Sequence, residues 1–159
     1  MQRPMKRPEQ SYSEQIQIVL SSDINGYHRL FGGRLLEWID VVAGVVARRH
    51  SGRDITTATI DRLQFLSAAH VNDTIVLAGR VTWVGNTSME VRVETFVEAL
   101  SGERKLVNRA YLVMVALDGE EKPAQVPGLL IETEADRAEW EAGELRQKAR
   151  SEERRRNGG

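Results

Sequence analysis

One helix-length run with almost no polar side chains narrows the possible folds more than any other feature. From Gly33 to about Arg49 the chain reads GRLLEWIDVVAGVVARR, and between Trp38 and Ala47 the only polar side chain is Asp40. A helix that is apolar nearly all round is enclosed by other structure rather than laid on a surface. The rest of the chain must therefore cover this segment on most sides.

The remaining elements are strand-like. In SMEVRVETFVEA, the residues Met89, Val91, Val93, Thr95 and Val97 alternate with Glu90, Arg92, Glu94, Phe96 and Glu98. That period of two marks a sheet with one wet face. Residues 14–20 place Ile16, Ile18 and Leu20 on one side of a short half-buried strand. Residues 53–66 are rich in Thr and Ile and end in a short apolar stretch at Phe65 and Leu66. Turn signals at Asn72-Asp73, Gly85-Asn86 and Ser101-Gly102 bound TIVLAGRVTWV, the alternating strand and the long final strand KLVNRAYLVMVAL. The predicted order is β–α–β–β–β–β, an α+β chain whose curved antiparallel sheet wraps the helix. One sheet covers one face, so a second copy is the expected source of the remaining cover.

Beyond this, residues 1–12, with Pro4 and Pro8, read as a flexible arm, and 13–123 as the folded domain. Residues 124–150 read as a linker and a C-terminal helix. There Ile131, Ala135, Ala138, Ala142, Leu145 and Ala149 fall at spacings of four and three. Alanine offers little adhesive area. A solvated helix laced with opposite charges is the plainer reading, and a docking helix the alternative. The tail 151–159 is expected to be disordered.

Composition removes several functional classes. The chain of 159 residues carries 22 Lys+Arg against 23 Asp+Glu, a formal net charge of −1. A nucleic-acid-binding face usually shows as a basic excess, so no nucleic acid is expected. With no cysteine, disulfides, zinc–thiolate sites and thiol nucleophiles are excluded together. His28, His50 and His70 show no metal-ligand spacing, and no metal is expected. No apolar run approaches the ~20 residues that span a bilayer, and no apolar segment follows the basic N-terminus as in a secretory signal. A cytoplasmic protein with no membrane partner is the expectation.

Three features carry candidate chemistry. Asp40 sits in apolar surroundings where an ionised carboxylate is costly unless paired, so it is either structurally satisfied or functional. Gly32 and Gly33 open the helix, where unpaired backbone N–H groups can bind a carbonyl oxygen or an anion. Asn25 lies in the loop feeding that helix. On the residue alone an Asx turn is the better reading, with orientation of a water or carbonyl the other. Backbone donors plus a carboxylate are the minimum kit for hydrolysing an acyl bond without serine or cysteine. Gly32 and Asp40 are eight residues apart, so donors and carboxylate are expected to line one crevice.

These residues carry a resemblance. Asn25, then Phe31-Gly32-Gly33, then Asp40 at the end of LLEWID, is similar to the N-(x)5-[FH]-G-G-(x)6-[DE] signature of hotdog-fold acyl-CoA thioesterases, in the bacterial and cytosolic acyl-CoA hydrolase branch. The likeness runs on through TATIDRLQFLSAAHVNDTIVLAGRVTWVGNTSMEVRVETFVE and into AYLVMVALDGEEKP, about residues 13–123. It implies a helix wrapped by an antiparallel sheet, at least a homodimer, and assembly into tetramers or hexamers. The implied reaction converts acyl-CoA and water to a carboxylic acid and CoA with no cofactor. Asp40 would activate water, Asn25 would position water or thioester, and the Gly32-Gly33 amides would form the oxyanion hole. Phe31 and the turn Gly85-Asn86-Thr87-Ser88 would contact substrate, the turn touching the pantetheine or nucleotide part of CoA from the neighbouring copy. Two departures stand out: LSAAHVND replaces a proline-containing stretch after Phe65-Leu66, and the C-terminal helix is not part of the signature. The rival spacing Asp23…Asn25…His28 is similar to that of hotdog enoyl-CoA hydratases, with Gly26 where those have proline. A non-enzymatic acyl-CoA sensor on the same fold is the third reading.

Overall fold

A computed structural model describes residues 2–158. Seven strands and two helices run in the order β1 (Met5–Lys6), β2 (Ser13–Ile18), α1 (Gly32–Ser51), β3 (Asp54–Phe65), β4 (Thr74–Val84), β5 (Ser88–Glu98), β6 (Arg104–Leu117), β7 (Gly128–Leu129) and α2 (Glu134–Arg156). Five strands form one antiparallel sheet in the order β2-β4-β5-β6-β3. β3 does not pair with β4, its successor, but crosses to the far edge beside β6. The sheet curves around α1, which touches all five strands. This is the expected hotdog arrangement.

The apolar run forms α1 because its ends are punctuated and its inner faces are covered. Phe31 enters with extended backbone, and Gly52 terminates the helix at φ 67°, its N–H donating to the Arg48 carbonyl at 2.8 Å. A left-handed terminator favours glycine because no Cβ clashes. Ile39, Val42, Ala43, Val46 and Ala47 pack on the inward residues of the strands, including Ile75, Leu77, Val91, Val93, Leu112 and Met114. Helix and sheet approach closely over Gly79, where a Cβ would lie 2.8 Å from both Val42 and Val46. His50, in the last turn, is buried and donates from Nε2 to the Pro127 carbonyl at 2.8 Å.

Not all of α1 is covered. Phe31, Glu37, Val41 and Arg48 lie exposed along one side, and the long edge strand β3 has no partner strand beyond it among the described residues. Val41, Phe65 and Leu66 are each 56% exposed beside this open side.

Two segments differ from expectation. The described part of the arm, 2–12, is fastened rather than mobile. Met5–Lys6 pairs in parallel with Gly128–Leu129, and Arg3 donates from Nε to the Val126 carbonyl at 2.7 Å and from Nη2 to the Gly85 carbonyl. Strand donors and acceptors that would otherwise go unmatched are satisfied this way. The tail expected to be disordered continues α2 as far as Arg156, placing Arg154–Arg156 where cations suit a helix C-terminus. Residue 159 lies outside the described residues.

α2 docks on the sheet's outer face, but not through its alanine stripe. Leu145 is 67% exposed, and Ala135, Ala138 and Ala149 are exposed with it. The inward face is Asp136, Glu139, Trp140, Gly143, Arg146 and Arg150. Arg80 donates to Asp136 at 2.6 Å and Arg92 pairs with Glu139. Arg146 grips the fully buried Glu90 through two bonds of 2.9 and 2.7 Å and stacks 3.7 Å over the Tyr111 ring. Gly143 permits this seat, since a Cβ there would lie 2.9 Å from Glu90 and Trp83.

Candidate active site

The loop before α1 is tied into a rigid turn. Asn25 Oδ1 accepts from the Tyr27 and Arg29 amides at 2.9 and 3.3 Å, the Asx turn that the residue alone favoured. The side-chain amide nitrogen remains as the group with donors to spare. Asp23 is structural. Its Oδ2 accepts from the Leu20 amide at 2.9 Å, its Oδ1 faces the Arg34 guanidinium at 3.2 Å, and its carbonyl accepts from the Phe31 amide. His28 is exposed in a left-handed turn (φ 61°). Asp23 and His28 therefore do not assemble into the pair that a hydratase would need.

At the start of α1, the Phe31 amide is bound by Asp23 and the Leu35 amide by the Phe31 carbonyl. The amides of Gly32, Gly33 and Arg34 have no acceptor among the described residues, and no side chain caps this end. They are the free, positively polarised donors of a helix N-terminus. A Cβ on Gly33 would lie 2.6 Å from the exposed Phe31 ring, so a side chain there would displace that ring. Asn25, Gly32, Leu35, Phe65, Leu66 and Val107 line a cavity of about 420 Å³.

Asp40 lies outside that lining. It is half-buried on the open side of α1, and its Oδ1 accepts from Thr57 Oγ1 at 2.7 Å. The expectation of one crevice within one protomer is thus corrected. Eight residues of helix put Asp40 about 12 Å along the axis from Gly32, at 1.5 Å per residue. Thr57 was missed by sequence reasoning. It belongs to no motif, and the only signal was a Thr-rich strand running beside the helix that carries Asp40.

The turn after β4 occupies a third place. The Gly85 amide donates to the Ser88 carbonyl, and the Asn86 and Thr87 carbonyls accept from Val126 and Ala116. Thr87 and Ser88 open on a separate cavity of about 560 Å³, whose far wall includes Arg150 and Arg154 of α2. Phe31 is exposed beside the glycines, on the uncovered side. Within one copy the site residues thus fall into three groups.

Comparison with known proteins supplies the context. The pattern of the thioesterase superfamily matches residues 27–100. An uncharacterized acyl-CoA thioester hydrolase of Bacillus subtilis is 39% identical over 138 residues, covering 83% of this chain and 80% of that protein. The cytosolic acyl coenzyme A thioester hydrolase of Rattus norvegicus is 34% identical over 152 residues, covering 91% of this chain, which spans 40% of the rat protein. The acyl-CoA hydrolase of Staphylococcus aureus, solved with butyryl coenzyme A and coenzyme A, superposes with a TM-score of 0.92 at 31% identity, covering 98% of this chain and 95% of that one. A hexameric acyl-CoA thioesterase gives a TM-score of 0.90 at 36% identity, covering 94% and 97%. Among the described residues no helix is long and apolar enough to cross a membrane. Sequence, architecture and relatives agree that the chain belongs to the acyl-CoA thioester hydrolases of the thioesterase superfamily.

Proposed function

We propose that this chain hydrolyses acyl-CoA at a site shared between two copies, with the Gly32-Gly33 amides and Asn25 from one protomer and the carboxylate from the partner subunit's Asp40. The observation that carries this reading is the separation of about 12 Å between amides and carboxylate on a single helix. A thioester carbonyl and its attacking water must sit within ~3–3.5 Å of each other. One helix cannot supply both ends. Two α1 helices packed antiparallel about a two-fold axis can, because each brings its amide end beside the other's carboxylate. The uncovered apolar residues Val41, Phe65 and Leu66 border that same side.

The chemistry follows from the groups. The thioester oxygen points at the free amides, and the charge that develops on it is stabilised by donors already aligned. Asp40, oriented by the Thr57 hydroxyl, takes a proton from water as the oxygen attacks the carbonyl carbon. Collapse of the tetrahedral adduct breaks the C–S bond, and the proton held by Asp40 passes to the departing sulfur, leaving carboxylic acid, CoA thiol and the carboxylate restored. A thioester is an activated acyl donor, so the reaction calls for no cofactor. The Thr87-Ser88 turn faces Arg154 across the second cavity, a cation within reach of a CoA phosphate there. Support comes also from the Staphylococcus aureus enzyme, studied as alanine variants of one Asn, one Asp and one Thr. Their spacing in that chain equals that of Asn25, Asp40 and Thr57 here.

Mixing two inactive variants tests the arrangement. Asn25→Ala and Asp40→Asn protomers are refolded together and assayed for thiol release. A shared site restores up to about a quarter of wild-type activity, because half the sites in each mixed dimer are intact. No recovery in verified mixed dimers would return both groups to one protomer.

A further inference from the structure

The seam beneath α2 reaches further than docking requires. Arg150 donates from Nε to Asp61 Oδ2 at 2.7 Å and from Nη2 to Asp61 Oδ1 at 3.3 Å. The same Nη2 reaches Glu90 Oε2 at 2.7 Å, and Thr82 Oγ1 holds the other Glu90 oxygen at 2.7 Å. The Arg150 side chain is only 10% exposed, so this is an enclosed clamp rather than a surface pair.

Asp61 stands at a break in the sheet. It pairs with Tyr111, but the next register partner, Gln64, pairs with Arg109, so β3 carries two residues against one of β6. Arg62, in that bulge, has φ 49°. A non-glycine residue holds this left-handed conformation only where its surroundings impose it. On the far side of the bulge Asn108 Nδ2 donates to the Gln64 carbonyl at 2.7 Å and the Leu66 amide to the Val107 carbonyl at 2.9 Å. Immediately beyond, Phe65 reaches to within 3.7 Å of where a Gly32 Cβ would stand, and Leu66 lines the same cavity.

We infer that Arg150 is a positioning residue for acyl-chain selection: by clamping Asp61 it fixes the β3 bulge that sets Phe65 and Leu66 as one wall of the cavity beside Gly32. The inference rests on the proposed role of that cavity as the site of the acyl thioester. It gives the C-terminal helix, which touches neither Gly32 nor Asp40, a part in specificity. Bulges re-aim side chains next to functional sites, and here the re-aiming is secured from the opposite face of the sheet.

The test centres on Asp61→Asn, which keeps side-chain volume and leaves Glu90 its arginines, so that α2 stays docked. Docking is read from the fluorescence of Trp140 against Trp83, whose rings lie 5.8 Å apart. The expected result is faster amide exchange at Leu66 and a flatter chain-length profile. The ratio of kcat/KM between the best acyl-CoA and one four carbons longer falls about tenfold, with acetyl-CoA turnover unchanged. Arg150→Ala lowers the same ratio, read between chain lengths only because Arg150 also borders the second cavity, and Arg150→Lys recovers part of it. An unaltered exchange rate and profile in Asp61→Asn with α2 docked would overturn the inference, as would a uniform loss on every substrate. Should the parent release no thiol from any acyl-CoA, the thioesterase reading fails, while the exchange experiment still decides whether the clamp holds the wall.

Discussion

The two helices lie on opposite faces of one sheet and are held by opposite means. α1 is seated by apolar side chains meeting apolar side chains, with the carboxylate of Asp40 turned to the open side. α2 leaves Ala135, Ala138, Ala149 and Leu145 in solvent and is seated by Arg80, Arg92, Arg146 and Arg150 against Asp136, Glu139, Glu90 and Asp61. Apolar burial has no preferred direction, whereas each guanidinium–carboxylate pair demands a geometry. A charge in the first interface is therefore free for chemistry, and a charge in the second is committed to register.

The sharpest break of this contrast is Asp40→Asn. Removing the charge on α1 is expected to lower kcat for thiol release by about 100-fold or more, as for loss of a general base, with thermal stability nearly unchanged. A stable variant of full activity would end the proposed role. Glu90→Ala is the counterpart under α2. It takes from the buried Arg146 both of its short bonds, leaves Arg150 only Asp61, and is expected to cost about 3–5 kcal/mol in denaturant unfolding. Trp140 fluorescence should report the release of α2 before the sheet melts.

Acid separates the two regions again. Burial pushes the His50 imidazole below its ordinary value, against a partly compensating bond to Pro127. Its contribution is complete above the ordinary pKa near 6.5 and declines as pH falls below it, because the unfolded chain then takes a proton that the folded one refuses. Burial pushes the Glu90 carboxyl up, but hydrogen bonds from Arg146, Thr82 and Arg150 outweigh it and hold the group below its usual range. That contribution is complete above the ordinary carboxylate value and is lost only as pH drops through the lower folded one. Amide exchange on acidification is therefore expected to loosen the end of α1 near His50 first and the α2 seam later. The reverse order would contradict both assignments. The smallest effect is expected for Arg154→Ala, a rise in KM of about threefold with kcat unchanged, as for an exposed charge beside a phosphate.

What could be read from the chain followed the same division. α1 and the strands β4, β5 and β6 announced themselves because burial writes a period into sequence, two for the strands and near-continuous for the enclosed helix. The position of β3 at the far edge was not written there, since alternation states which face is wet and not which neighbour is adjacent. α2 misled for a physical reason. The Ile131–Ala149 stripe is the one an apolar dock would use, but the actual dock is ionic, and its partners lie 47 to 89 residues away in the chain. The arm was hidden likewise, because Met5–Lys6 finds its partner at Gly128–Leu129. For the site, Asn25, Gly32 and Asp40 were legible as residues, and the placing of Asp40 outside the cavity that Asn25 and Gly32 line was not. Thr57 needed the strand and helix side by side before its hydroxyl meant anything.

Arg3 makes the amino end matter more than its length suggests. Its guanidinium bridges the Val126 and Gly85 carbonyls, and Gly85 opens the turn whose Thr87 and Ser88 face the second cavity. Cloning choices act through that bridge: a purification tag fused ahead of Gln2, or a truncation past Pro4, would pull on the turn that borders the second cavity. Affinity handles for this enzyme belong after Asn157.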